Sequence, residues 1–161
     1  LSTFSMPHPH GYAVQLEDMA SCQYDASAYI DFLVSPIAET AILAGDASVL
    51  RGFNVGVDAD KVDEYVEQLG SEPALAAALN WYRANIDERQ MPIGRSVGQV
   101  TVPTLFVWST DDPAICQESA EATADFVTGP YRYEVLEGVG HFIPDETPDV
   151  ATRLILDHIS Q

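Results

Sequence analysis

The sequence predicts an α/β protein in which half of a doubly wound parallel sheet is joined to an all-helical segment. Three observations carry this prediction. Thr104 to Trp108 is a continuous apolar run of strand length after Pro103, as expected for a strand buried on both faces. From Val102 to the C-terminus, strand and helix patterns alternate as strand, helix, strand, helix. From Tyr24 to about Asn85, apolar residues recur only at three- and four-residue spacing, which is helical periodicity alone.

In chain order, Leu1 to Met6 reads as a strand stopped by Pro7 and Pro9, because proline cannot donate to a sheet ladder. A short helix is expected from about Gly11 to Ser21. The helical segment follows, with Tyr29, Phe32 and Leu33, then Ile42 and Leu43, then Val62, Tyr65 and Val66, then Leu75, Leu79 and Tyr82 on apolar faces. Pro36, Gly45-Asp46, Asp58 and Ser71-Glu72-Pro73 supply its stops and starts, the last as an N-cap with proline in the first turn. Ile86 to Gln99 is polar, carries Pro92, Gly94 and Gly98, and reads as a linker back to the sheet. Ala114 to Val127 is expected to be helical, Arg132 to Leu136 a strand and Pro144 to Ile159 a closing helix. The domains implied are 1–23, 24–88 and 89–161.

With 161 residues, 47% of them hydrophobic, the chain has material for a substantial core. Seven Lys and Arg against twenty-five Asp and Glu give a net charge of −18, which argues against binding nucleic acid or an anionic membrane. No apolar run approaches the roughly 20 residues that span a bilayer. The expectation is a soluble, cytoplasmic protein. Cys22 and Cys116 have neither metal-ligand spacing nor a disulfide framework, and His8 and His10 lack further ligands, so no metal or organic cofactor is expected. His8 and His10 are read as loop residues near the entrance to the helical segment.

The chemistry concentrates in the last third. Asp112 stands just past the strand ending near Trp108, and His141 lies in the loop past the next strand, between Gly140 and Phe142. Functional groups gather at the carboxyl ends of parallel strands. A carboxylate there can accept from one imidazole nitrogen and fix the tautomer in which the other acts as base. Gly138 and Gly140 allow the loop to turn sharply around His141.

V-P-T-L-F-V-W-S-T-D-D at Val102 to Asp112, with L-E-G-V-G-H-F-I-P-D-E at Leu136 to Glu146, resembles the C-terminal end of an α/β-hydrolase. Leu1 to Pro9 resembles the strand after the nucleophile elbow of epoxide hydrolases and related dehalogenases, and the helical segment occupies the position of their cap domain. The resemblance covers essentially the whole chain but about the second half of a complete family member. The implied fold is therefore the C-terminal half of an α/β-hydrolase, with parallel strands, flanking helices and an all-helical cap.

The cap narrows the resemblance. Leu79-Asn80-Trp81-Tyr82-Arg83 is similar to the L-N-W-Y-R segment of epoxide hydrolases, whose tyrosine points into the active site, so the resemblance implies that role for Tyr82. The family's second epoxide-polarising tyrosine lies seven residues before a proline, as Tyr29 does before Pro36. The family's G-x-x-D pattern, read from Ser109, selects Asp112 rather than Asp111 as the acid, with Ser109 in place of the usual glycine. Trp81, Trp108 and Phe142 are the expected substrate-binding residues; the two tryptophans also fit a core role.

The resemblance further implies an H-G-x-P oxyanion motif and a nucleophile elbow, neither of which is among these residues. The expected partner is an N-terminal fragment of the same precursor, cut before Leu1 and carrying nucleophile and oxyanion hole. The expected substrate is a small apolar epoxide or ester. An ester or lactone hydrolase with a serine nucleophile would keep His141 and Asp112 without needing the tyrosine pair. A non-catalytic subunit of the same fold is a reading from a different class, and a dehalogenase is disfavoured because halide leaving groups suit Trp or amide donors better than phenols.

Overall fold

A computed structural model describes residues 1–86, 90, 91, 94 and 96–160. Strand β1 (Ser2–Phe4) leads into helix α1 (Pro9–Glu17), and five further helices follow: α2 (Cys22–Ala26), α3 (Tyr29–Leu33), α4 (Ala38–Phe53), α5 (Ala59–Leu69) and α6 (Glu72–Asn85). The chain then returns as β2 (Thr104–Ser109), α7 (Gln117–Glu121), a 3-10 helix (Ala122–Phe126), β3 (Tyr131–Leu136), α8 (Ile143–Glu146) and α9 (Pro148–Ile159). The three strands form one parallel sheet in the order β1-β2-β3, with Phe4 beside Val107 and Val107 beside Glu134. The chain thus has the expected α/β architecture. Part of the linker read over 86–99, and with it the 88/89 boundary, falls on residues 87–89, 92, 93 and 95, outside the described set.

Strand β2 is buried at every position, which is why its sequence is apolar without alternation. Its odd face, Leu105 and Val107, packs with Ile143 and Leu154 and the partly buried Phe4 and Leu136. Its even face, Phe106 and Trp108, packs with Ile115, Ala120 and Tyr12. Helices therefore cover both faces of the sheet, and each fully buried large side chain contributes roughly 1.5–3 kcal/mol of transfer free energy. A separate cluster holds the helical segment together, built on Leu33, Ile42, Leu50, Leu75 and Leu79.

The helix signals act where the sequence places them. Asp58 and Ser71 stand at the N-caps of α5 and α6, with Pro73 in the first turn of α6. Gly45-Asp46 breaks α4 into two halves: Gly45, Asp46 and Ala47 adopt left-handed φ values of 58°, 59° and 53°. The closing helix differs from expectation. It is divided into α8 and α9 at Thr147 (φ −137°, ψ 59°), because the proline ring of Pro148 disfavours helical backbone at the residue before it. The expected helix over 114–127 starts later and ends as a 3-10 turn, since residues 112–115 are held by the carboxylate of Asp112 instead. Among the described residues no single helix is long and apolar enough to cross a membrane.

Candidate active site

Asp112 stands in the turn that leaves β2, its N–H bonded to the Ser109 carbonyl at 3.3 Å. Its carboxylate is fully buried, and Oδ1 accepts from the backbone N–H groups of Ala114 (2.8 Å) and Ile115 (3.0 Å). That segment is braced by two side chains through three hydrogen bonds. The Trp108 indole donates to the Ile115 carbonyl at 2.9 Å, the Gln23 amide donates to the Ala114 carbonyl at 2.7 Å, and the Gln23 carbonyl oxygen accepts from the Cys116 N–H at 3.1 Å. The imidazole of His141 then meets Asp112, with Nδ1 at 3.0 Å from Oδ1 and 2.9 Å from Oδ2. An ionised carboxylate only accepts, so Nδ1 is the protonated nitrogen and Nε2 is left as the basic one. This is the geometry of an acid–histidine pair.

The loop that presents His141 is held equally firmly. Gly138 takes a left-handed φ of 69°, which a β-carbon would strain. A β-carbon at Gly140 would lie 2.7 Å from Glu146 Oε1, so a side chain there would displace that carboxylate. The Glu146 carboxylate grips both sides of the histidine, accepting from the Gly140 N–H at 2.9 Å and the Phe142 N–H at 3.1 Å. From below, the buried hydroxyl of Ser109 donates to the Gly140 carbonyl at 2.7 Å. Ser109, in place of the glycine of the family pattern, thus links the strand bearing the acid to the loop bearing the histidine.

His141 and Phe142 line a cavity of about 460 Å³ whose other walls come mainly from the helical segment, among them Leu33, Ile42, Leu79 and both Tyr29 and Tyr82. The two phenol rings stand edge to face with centroids 6.5 Å apart. Burial, and then Tyr82, Tyr12 and Asp112, push the Tyr29 phenol well above its ordinary pKa; burial is also the main cause raising Tyr82. Both therefore stay protonated at neutral pH as O–H donors. Helix α6 is fixed in orientation by Arg83, next to Tyr82, which forks onto the two Glu39 carboxylate oxygens at 2.6 and 3.0 Å. The arrangement sets two weak-acid donors across an apolar chamber from an oriented base.

Of the residues singled out from sequence, Tyr29, Tyr82, His141 and Phe142 line this one cavity, with Asp112 directly behind His141. Trp81 and Trp108 do not. Trp81 is 48% exposed on the outer side of α6, stacked edge-on against Tyr82, because neighbours on a helix point about 100° apart. Trp108 lies on the even face of β2, buried against Ile115. His8 and His10 also stand away from the cavity: His8 is buried, takes the N–H of His10 on Nδ1 at 3.2 Å, donates from Nε2 to the Gly98 carbonyl at 3.0 Å, and stacks with Phe126. Both histidines are structural here.

Sequence reasoning missed Glu146, Ser109 and Gln23. Glu146 left a signal, an acid five residues after His141 with proline between them. Ser109 was visible only as a departure from a pattern. Gln23 left none, since a glutamine on a short helix gives no sign of being fully buried.

No protein-family model matches the chain. It is 27% identical over 110 residues to Epoxide hydrolase A of Mycobacterium tuberculosis, a match covering 68% of this chain and 34% of that protein. It is 24% identical over 166 residues to human Epoxide hydrolase 4, covering 96% of this chain and 45% of the relative. A crystal structure of an epoxide hydrolase from Bacillus megaterium, a point mutant complexed with its diol product, superposes on all of this chain and 60% of its own with a TM-score of 0.81 at 18% identity. The chain has the α/β-hydrolase fold. Within it, the chain is epoxide hydrolase-like in sequence and corresponds to about the second half of such proteins, spanning 34% and 45% of the length of the two curated relatives.

Proposed function

We propose that these residues are the cap and the acid–histidine half of an enzyme that hydrolyses an epoxide to a diol through a covalent ester. The observation that carries the reading is the apolar cavity shared by Tyr29, Tyr82 and the Asp112-oriented His141. A nucleophilic carboxylate, supplied by polypeptide outside these residues, attacks a ring carbon and forms a C–O bond as the ring C–O bond breaks. The oxygen released takes a proton from one phenol while the other donates to it, stabilising the developing alkoxide in an apolar pocket. His141 Nε2 then removes a proton from water, the hydroxide adds to the ester carbonyl, and collapse releases diol and carboxylate. The imidazolium returns its proton to the phenolate, closing the balance. Asp112 holds the imidazole in the required tautomer and stabilises its cation.

The cavity's apolar walls favour a small apolar epoxide. The test is Tyr82→Phe in the whole protein, assayed on such an epoxide and on a p-nitrophenyl ester. Loss of epoxide turnover by two or more orders of magnitude with retained fold supports the reading. Unchanged epoxide turnover would remove Tyr82 from its proposed role, and ester hydrolysis without epoxide turnover in the wild type would point to an esterase with a serine nucleophile.

A further inference from the structure

Cys22 and Cys116 are far apart in sequence, and neither has metal-ligand spacing along the chain, yet the packing of α2 on α7 brings them together beside a carboxylate. The sulfurs of Cys22 and Cys116 and a carboxylate oxygen of Glu118 all lie within 4.8 Å of one another, and the Cys22 thiol donates to Glu118 Oε2 at 2.9 Å. The catalytic reading uses none of these groups. We propose that Cys22, Cys116 and Glu118 form a binding site for a thiophilic divalent cation, Zn²⁺ in the first instance, with an open fourth position for water.

Three features of the site support this. The donor set is right: Zn²⁺ takes both Cys thiolates and Asp/Glu carboxylates as ligands, and the two thiolates select it over hard cations such as Mg²⁺ and Ca²⁺. The spacing is close to what is needed. Zn–S bonds of about 2.3 Å in tetrahedral geometry put neighbouring sulfurs about 3.7 Å apart, an adjustment of about an ångström or less from the 4.8 Å within which the three donor atoms lie. The frame is also rigid. Gln23, adjacent to Cys22 and fully buried, accepts from the Cys116 backbone N–H at 3.1 Å and donates to the Ala114 carbonyl at 2.7 Å, so the two ligand-bearing segments are fastened together beside the thiols. Cys22 is exposed, which leaves a path for the ion, and a net charge of −18 concentrates cations around the surface.

Binding one ion releases two thiol protons to solvent and leaves two thiolates and the Glu118 carboxylate on the metal. The consequence is local: a bound ion cross-links α2 to the segment whose amides at Ala114 and Ile115 hold Asp112.

The experiment uses the whole protein, reduced and stripped of metal, titrated with Zn²⁺ alone against a chromophoric chelator and with Cd²⁺ alone to read thiolate-to-metal charge-transfer absorption. One equivalent of ion and a charge-transfer band are expected. Cys22→Ser and Cys116→Ser should each cut the band by about half or more and weaken Zn²⁺ binding by at least about tenfold, the double variant should abolish the band, and Glu118→Gln should weaken binding while keeping the band. A measurement free of any variant accompanies these: Zn²⁺ should protect both wild-type thiols from alkylation. Absence of the band, full affinity after loss of both cysteines, or undiminished alkylation in excess Zn²⁺ would each overturn the assignment. None of these readouts depends on epoxide turnover, so the result stands apart from the catalytic reading.

Discussion

Replacing Glu146 by Gln tests whether the histidine loop is held for the second chemical step. In the wild type the two carboxylate oxygens accept from Gly140 and Phe142 at 2.9 and 3.1 Å. The amide of Gln keeps one acceptor but turns an NH₂ toward the other backbone N–H, so one charge-assisted bond is lost and two donors face each other. Hydrogen bonds to charged groups contribute about 1.5–3 kcal/mol. Glu146 is only partly buried, so about 2 kcal/mol is the expected loss, equivalent to a fall in Tm of roughly 4–8 °C for a domain of this size. The more telling effect is kinetic. A loop displaced by a fraction of an ångström misplaces His141 Nε2, which on the proposed mechanism acts only when water attacks the ester, so kcat should fall about tenfold to a hundredfold. Rapid-quench mass spectrometry should then show the alkylated enzyme accumulating, with an undiminished burst of its formation. Lower Tm with unchanged kcat, or equal slowing of both steps, would refute the argument that Glu146 acts through His141.

Asp112→Asn keeps the shape but exchanges an acceptor pair for one acceptor and one donor, which disfavours the tautomer with Nδ1–H; kcat is expected to fall on the order of a thousandfold or more, again with ester accumulation. Retention of more than a tenth of wild-type turnover would remove Asp112 from its proposed role. His8 gives a prediction for stability against pH. Burial lowers its pKa, so the unfolded chain, near 6.5, takes up the proton at higher pH than the folded one. The stability His8 contributes is therefore present above about pH 6.5 and is lost as pH falls through the lower folded value. In His8→Asn, whose side-chain oxygen can take the N-capping place of His8 Nδ1, urea midpoints measured from pH 7 downward should show a shallower decline than the wild type, and parallel curves would contradict the assignment.

What was legible in the sequence is what leaves a local or periodic trace. The unbroken run Thr104 to Trp108 announced a doubly covered strand, and Ser71 with Pro73 announced the start of α6. Asp112 and His141 were legible because each follows a strand directly, so the sheet itself delivers them to one edge. Trp81 and Trp108 misled because an aromatic side chain suits a pocket wall, a core and a half-exposed helix face equally, and only the direction of its bond decides. The bends at Thr147 and after Asp112 were missed because short-range patterns do not reveal which backbone groups a side chain will occupy. Gln23 and the Cys22–Cys116 pair depend on contacts between segments distant in sequence, and no pattern in one segment contains them.

The same contacts explain why an exposed helical cap can share a site with a buried sheet edge. Tyr65 on α5 donates to Asp145 at 2.8 Å, and the backbone of Gly56 lies so close to Glu146 that a β-carbon would stand 2.7 Å from its carboxylate. The cap therefore rests on α8, the short helix whose last residue grips the histidine loop. Position of the phenols and position of the base are set through one small element rather than two independent ones. A substitution at Gly56 would push on Glu146 and so on His141, disturbing the base while leaving Tyr29 and Tyr82 in the cap core that holds them. On the proposed mechanism, docking of the helical segment and activation of water would be mechanically joined at Glu146, through its bonds to Gly140 and Phe142 and the bond of Tyr65 to the neighbouring Asp145.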